Sequence, residues 1–191
     1  MWFNYTTWSC EFGPALSIYS LYKGANLEFT IYTDGGCSGN KRDSGCPGGF
    51  GYVVLDPGEN SLSEGGGKRE NTTNNRMEML AVIKGLEELK IVLDQEYDGA
   101  SKHDAVVKTD SRYICDNFED YLPEWKKNGW KKSKGGMVLN KDLWKKIDKL
   151  APEFRSFRFQ WVKGHAKDKW NNLADSIVQN YIKGSKLSPQ I

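Results

Sequence analysis

The sequence predicts an α/β fold: a mixed five-stranded sheet, three antiparallel strands and then parallel strands, flanked by helices. Two observations lead there. Three strand-like segments follow one another between residues 27 and 69, separated only by Gly- and Pro-containing turns, as in consecutive hairpins. After residue 72, strand-like and helix-like periodicities alternate along the chain, as crossovers between parallel strands require.

The first strand begins at Leu27, with Leu27, Phe29 and Ile31 on one side and Thr30, Tyr32 and Asp34 on the other, and it reads as ending at Asp34. Gly48 to Leu55 is the second, ended by Asp56-Pro57-Gly58; Ser61 to Arg69 is a weaker, glycine-diluted third. A helix follows. Thr72-Thr73-Asn74-Asn75 supplies its capping residues, Met79, Val82, Ile83, Leu86 and Lys90 its stripe, and Lys84-Gly85 should dent it slightly. Asp94 to Asp104 is expected to be an acid-rich loop before a strand from Ala105 to Thr109, and Ser111 to Leu122 is amphipathic through Ile114, Phe118 and Tyr121. Beyond a basic loop come a short helix (Lys141 to Leu150), a strand (Ser156 to Val162, with Phe157, Phe159 and Trp161 on one face) and a closing helix (Trp170 to Ile182). Residues 1–26 are aromatic, poor in charge and aperiodic, an appendage of unknown role; residues 27–183 form one domain and 184–191 a tail.

A 38% hydrophobic and 27% charged composition is that of a soluble globular chain, and no apolar run approaches the length of a membrane span. The first Lys is Lys23, so no basic segment precedes an apolar core and no secretory signal is evident. An intracellular, cytoplasmic monomer is the default expectation. Cys10, Cys37, Cys46 and Cys115 lack zinc-site spacing, and free thiols are expected, with a Cys37–Cys46 disulfide as the alternative. The net charge of +2 conceals a cluster: Trp125 to Lys134 holds five Lys and no acid. Such a segment attracts phosphate, and its indoles offer faces to sugars or bases; the alternative is a solvated loop.

Two separate strands end in Thr-Asp, at Asp34 and Asp110, where neither acid suits the strand it terminates. Glu78 stands near the start of the first helix, and Asp175 lies inside the last. If the fold gathers these four, two carboxylates about 4 Å apart repel by about 4 kcal/mol at an effective dielectric near 20, a cost that divalent cations offset. Mg²⁺ is hard, prefers oxygen and keeps several waters, so carboxylates suit it, and the arrangement suits phosphodiester hydrolysis. His165, in Lys163-Gly164-His165-Ala166-Lys167, sits in a polar loop and fits a titrating base or proton shuttle better than a core histidine. His103 has no motif around it and no assigned role.

Tyr32-Thr33-Asp34-Gly35-Gly36, Asn74-Asn75-Arg76-Met77-Glu78, Thr109-Asp110-Ser111 and Trp161-Val162-Lys163-Gly164-His165-Ala166, with Asp175 ten residues later, resemble in this order the signatures of type 1 ribonuclease H. The resemblance covers about residues 27 to 183, making that stretch a ribonuclease H catalytic domain. It implies that Asp34, Glu78, Asp110 and Asp175 bind two divalent cations, Mg²⁺ or Mn²⁺, and that His165 assists nucleophile activation or product release. The implied substrate is an RNA/DNA hybrid, cleaved endonucleolytically in its RNA strand to leave 5′-phosphate and 3′-hydroxyl ends. Asn40, Asn74, Asn75 and Arg76 match positions that face the RNA strand. Trp125, Lys126, Lys127, Trp130, Lys131 and Lys132 look like the family's basic protrusion on the DNA strand, with Tyr121 one helical turn earlier. Thr73 and Asn140 fall where relatives hold a DNA phosphate, although the arginine often found two residues before that threonine is Asn71 here, which implies either a weaker pocket or substitution by Arg69. A DNA-directed nuclease or integrase of the same fold and a catalytically silent hybrid-binding module are the rival readings.

Overall fold

The computed structural model describes residues 24–38, 46–164 and 167–184. Strands β1 (Glu28–Cys37), β2 (Cys46–Leu55), β3 (Ser61–Thr72), β4 (Asp104–Thr109) and β5 (Ser156–Trp161) form one sheet in the order β3-β2-β1-β4-β5. The β1–β2 and β2–β3 pairs are antiparallel, whereas β1–β4 and β4–β5 are parallel. The mixed sheet expected from the sequence is therefore observed. The described α-helices are α1 (Asn74–Glu96), α2 (Arg112–Asp116), α3 (Leu122–Lys127), α4 (Lys141–Leu150) and α5 (Lys169–Lys183).

Helices cover both faces of the central strands, so both sides of the period-two pattern are apolar. Phe29, Ile31 and Val54 pack with Met79, Val82, Ile83 and Leu86 of α1, while Tyr32, Val53 and Leu55 pack with Ala174 and Ile177 of α5. Full burial of such a side chain contributes on the order of 2 kcal/mol. The same cluster continues through Ile114, Trp125, Leu143, Trp144 and Ile147, tying α2, α3 and α4 to the α1 side of the sheet.

Three local expectations are corrected. First, β1 does not stop at Asp34. It pairs with β2 as far as Cys37↔Gly48, whereas its parallel register with β4 ends at Thr33↔Thr109, so Asp34 lies within a strand that has lost one of its two neighbours. Second, α1 runs unbroken for 23 residues from its Thr73 cap, whose Oγ1 accepts from the Arg76 N–H at 3.4 Å. Gly85 does not dent it; a Cβ there would stand 2.6 Å from Ile31 Cγ2, so the glycine lets the helix lie close on the sheet. Third, Asp94, Gln95 and Glu96 are helical, with Lys90 and Asp94 paired at 2.7 Å across one turn. Further along, the amphipathic run after β4 contains a π-helical turn, Asn117–Tyr121, between α2 and α3.

His103 is a core histidine: it is 1% exposed, its Nδ1 accepts from the Leu27 N–H at 3.3 Å, and its Nε2 lies 2.7 Å from Asp98 Oδ1. Cys37 and Cys46 are free thiols, as expected. Burial, and then a hydrogen bond with Cys46, pushes the Cys37 thiol up to about 12.

Trp144 is fully buried, with its ring edge against Trp125 at 5.8 Å and its Nε1–H donating to the Tyr113 hydroxyl at 3.4 Å. Trp144→Ala is expected to lower stability by about 3–5 kcal/mol in urea denaturation. Ile91→Ala, at a residue 49% exposed in α1, should stay within about 0.5 kcal/mol of wild type. Equal losses would contradict the packing described.

Candidate active site

Each acid is delivered by a different element. Asp34 and Asp110 both follow the last parallel pair, Thr33↔Thr109, by one residue, which sets them side by side on adjacent strands and on the α5 face. The chain leaves β4 at once, because Thr109 Oγ1 accepts from the Ser111 N–H at 3.2 Å. Trp161 Nε1–H donates to the Asp110 carbonyl at 3.1 Å and ties the end of β5 to the same corner. Glu78 arrives from the first turns of α1, which crosses so close to β1 that a Cβ at Gly35 would stand 2.2 Å from the Glu78 nitrogen. That near-contact demands glycine.

Asp175 comes from α5, whose start is fixed by Asp168. Its Oδ1 accepts from the Trp170 and Asn171 N–H groups at 3.0 and 3.2 Å, and its Oδ2 from the Tyr32 hydroxyl at 3.0 Å. Lys108 Nζ in turn donates to that hydroxyl at 3.1 Å, so β1, β4 and the cap of α5 share one polar link.

The four carboxylates line one cavity of about 240 Å³, together with Gly35, Gly36, Asn74, Asn171, Val178 and Gln179. Burial, then Asp110, then Asp175 and Glu78, push the Asp34 carboxyl up to about 7, against the opposing Gly35 N–H. Burial also raises Glu78, with Asp110 adding, while hydrogen bonds from Ser111 and Asn74 oppose. Those bonds hold both its oxygens: the Ser111 hydroxyl donates to Oε2 and Asn74 Nδ2 to Oε1 at 2.8 Å. Gln179 Nε2 donates to Asp175 Oδ1 at 3.3 Å.

An all-oxygen donor set with a carboxyl raised by burial and then by neighbouring acids fits hard divalent cations. Among the described residues no set of three or more His, Cys, Asp and Glu side chains closes into a single metal cage. The acids instead line an open cavity, which suits ions that retain much of their water.

His165 and Asn40 lie outside the described residues. Gly164 is described, and a Cβ there would stand 2.3 Å from Asp110 Oδ2. Asn74 lines the cavity, and Asn75, next in the chain, is half-buried. Arg76 turns elsewhere: its guanidinium makes a two-pronged pair with Asp142 at 3.0 and 2.7 Å and reaches Asn140 Oδ1 at 3.4 Å. A second cavity next to it is lined by Arg69, Asn71, Thr72, Arg76, Asp142 and Lys146. Asn71 has φ 52, a left-handed conformation that asparagine tolerates better than arginine, which accounts for the residue found there. On the basic segment, Tyr121 is 53% exposed and stacks on Trp125, which is only 9% exposed, so Tyr121 presents the accessible ring. Trp130 is half-buried, Lys126 pairs with Asp148 at 2.6 Å, and Lys127, Lys131 and Lys132 are exposed. Sequence reasoning gave no role to Asn171, Gln179 or Ser111. The four-residue spacing Asn171–Asp175–Gln179 marks the first two as sharing a stripe of α5 with the acid, whereas nothing local singles out the Ser111 hydroxyl.

Residues 26–183 match the family model described as RNase H. The ribonuclease H of Prochlorococcus marinus (strain NATL1A) is 41% identical over 165 residues, covering 86% of this chain and 94% of that protein. The ribonuclease H of Legionella pneumophila (strain Paris) is 38% identical over 152 residues, 80% of this chain and 94% of that one. Among solved structures, LC9-RNase H1, a type 1 RNase H with the type 2 active-site motif, superposes with a TM-score of 0.69 at 28% identity, covering 84% of this chain and 74% of its own. LC11-RNase H1, solved in complex with RNA/DNA hybrid, gives 0.60 at 25% identity over 82% and 97%. Since the match runs through every strand of the sheet and takes in all four acids, the chain belongs to the ribonuclease H family.

Proposed function

We propose that the protein is an endonuclease that hydrolyses the RNA strand of RNA/DNA hybrids with the help of two divalent cations, Mg²⁺ with Mn²⁺ as a substitute, leaving 5′-phosphate and 3′-hydroxyl ends. The observation that carries this reading is the meeting of Asp34, Glu78, Asp110 and Asp175, from four elements, in one cavity. When bound, the cations activate the attacking water and neutralise the leaving oxygen. The protein's own part is positional: Ser111 and Asn74 hold Glu78, Gln179 holds Asp175, and Gly35 keeps α1 against β1. His165 is assigned the proton transfer, since a histidine titrates near neutral pH and its neighbour Gly164 lies against Asp110.

The surface around the cavity supports a substrate with two different strands. Asn40, Asn74 and Asn75 are assigned to the 2′-hydroxyls of the cleaved strand, a contact DNA cannot supply. Arg76, expected beside them, is assigned the bracing of Asn140 instead, through its pair with Asp142. A phosphate of the other strand is assigned to Thr73 and Asn140, with Arg69 and Lys146 in the adjoining cavity as its cations. Tyr121, backed by Trp125, faces deoxyribose, and Lys126, Lys127, Lys131 and Lys132 around Trp130 track the DNA backbone. No helix among the described residues is long and apolar enough to cross a membrane.

Cleavage of labelled RNA/DNA hybrid, duplex DNA, duplex RNA and single-stranded RNA, with and without Mg²⁺, tests the reading. Only the hybrid with Mg²⁺ should be cut; comparable rates on duplex DNA would replace the assignment with a DNA-directed one. Asp34→Asn or Asp110→Asn should abolish cleavage while leaving hybrid binding largely intact, and activity within about tenfold of wild type would refute the metal role of these acids.

Changing Lys127, Lys131 and Lys132 together to Ala should flatten the salt dependence of hybrid binding, by about 0.9 in the log–log slope for each phosphate that the variant no longer neutralises. An unaltered slope makes the segment a solvated loop.

In the metal-free protein, Asp34 binds its proton more tightly when folded (about 7) than its ordinary value of 3.8. Between those values the folded state therefore holds more protons than the unfolded chain, and stability falls as pH rises from about 4 to about 7. Urea midpoints in EDTA should show this loss, Asp34→Asn should lessen it, and Mg²⁺ should restore most stability above pH 7. A wild-type to variant difference that is constant across the window would contradict the burial of this carboxyl.

A further inference from the structure

Among the described residues that line the cavity, Asn171 alone carries a buried side-chain oxygen without a hydrogen-bond partner. It lies in the first turn of α5, four residues before Asp175 and on the same stripe as Gln179. It is 3% exposed, and its Oδ1 has no hydrogen-bond partner among the described residues. Its backbone N–H is already satisfied by the Asp168 cap. An unpaired buried amide oxygen is a standing cost, and alanine would be both cheaper here and better for the helix.

The surroundings specify what is missing. An amide oxygen accepts only, so it needs a donor. The described side chains that share the cavity include four carboxylates and two amides, and the amide bonds that are made run elsewhere, Asn74 to Glu78 and Gln179 to Asp175. None of these described side chains donates to Asn171 Oδ1, which leaves it open to a donor that arrives with a ligand. Hard divalent cations retain several waters, and polarisation makes those waters strong donors aimed away from the ion.

We propose that Asn171 is a positioning residue of the cation site: its Oδ1 accepts a hydrogen bond from a water in the hydration shell of a divalent cation held by Asp34 and Asp175. This rests on the cation-dependent reading above and extends it to a residue that touches the ion only through water. It also accounts for an asparagine that weakens the empty fold and strengthens the loaded one.

The test is calorimetric titration of the substrate-free protein with Mg²⁺, alongside thermal melting in EDTA, for wild type, Asn171→Ala and Asn171→Asp. Asn171→Ala should weaken Mg²⁺ binding by about tenfold or more, as removal of a group that orients a metal's ligands does, yet melt no lower than wild type in EDTA. Asn171→Asp keeps the acceptor and should restore binding, while melting lower in EDTA because a fifth carboxyl joins the cavity. Affinity of Asn171→Ala within about twofold of wild type would overturn the proposal. For Asn171→Ala, so would a rise in KM for hybrid at saturating Mg²⁺ with Mg²⁺ affinity unchanged, which would assign the amide to a ribose hydroxyl, or a melting temperature below wild type in EDTA, which would make it structural. Hybrid cleavage by the wild type is scored separately: a wild type that binds Mg²⁺ without cutting hybrid defeats the proposed function and leaves the role of Asn171 standing.

Discussion

The parallel pairing of β1 with β4, in the register that ends at Thr33 opposite Thr109, is the constraint on which the site depends. Side chains alternate along a strand, so this register puts Tyr32 and Asp34 of one strand and Lys108 and Asp110 of the other on the α5 face, while Phe29, Ile31 and Val107 turn toward α1. A slip of one residue in either strand would drive a carboxylate into the apolar layer under α1 and bring a core residue to the cavity. The register is held firmly because both strands are interior, with β2 beyond β1 and β5 beyond β4. Apolar burial on two faces thus fixes the position of two charges.

Those charges strain the fold they sit in. Asp34 is held near neutrality and Glu78 is raised, each chiefly by burial. Uncharged donors moderate this without cancelling it: the Ser111 hydroxyl and the Asn74 amide on Glu78, the Gln179 amide on Asp175. None of them brings a positive charge, and the positive groups gathered nearby, Arg69, Arg76 and Lys146, line a neighbouring cavity. Segregating cations from the acid cavity leaves the carboxylates available to an external cation, at the expense of stability in its absence.

The two cavities are joined mechanically through α1. Its first turn carries Asn74 and Glu78 into the acid cavity and Arg76 toward Asp142 and Asn140 at the start of α4. Tyr113 extends the link, since its hydroxyl accepts from Asn140 Nδ2 at 3.2 Å and from Trp144 Nε1 at 3.4 Å. The acid-lined cavity and the basic one are therefore tied to each other through one helix turn and a buried indole.

Much of this was legible in the sequence, and for identifiable reasons. Period-two and helical spacing located β2, α4, β5 and α5 to within a residue or two, and the run Thr72-Thr73-Asn74-Asn75 marked the start of α1, because these signals are local. The end of β1 was misread since Thr33-Asp34-Gly35-Gly36 has the composition of a turn, whereas Gly35 is there to let α1 approach a strand that continues. Asp94 to Glu96 read as loop because acids near a Gly suggest one, yet the Lys90–Asp94 pair extends the helix. The four acids could be named from their motifs, but their common cavity, the raised carboxyl of Asp34, the diversion of Arg76 to Asp142 and the orphaned oxygen of Asn171 were decided by tertiary structure alone. A hydrogen bond or a desolvation cost depends on which groups from distant segments arrive within a few ångströms, and spacing along one chain does not contain that information.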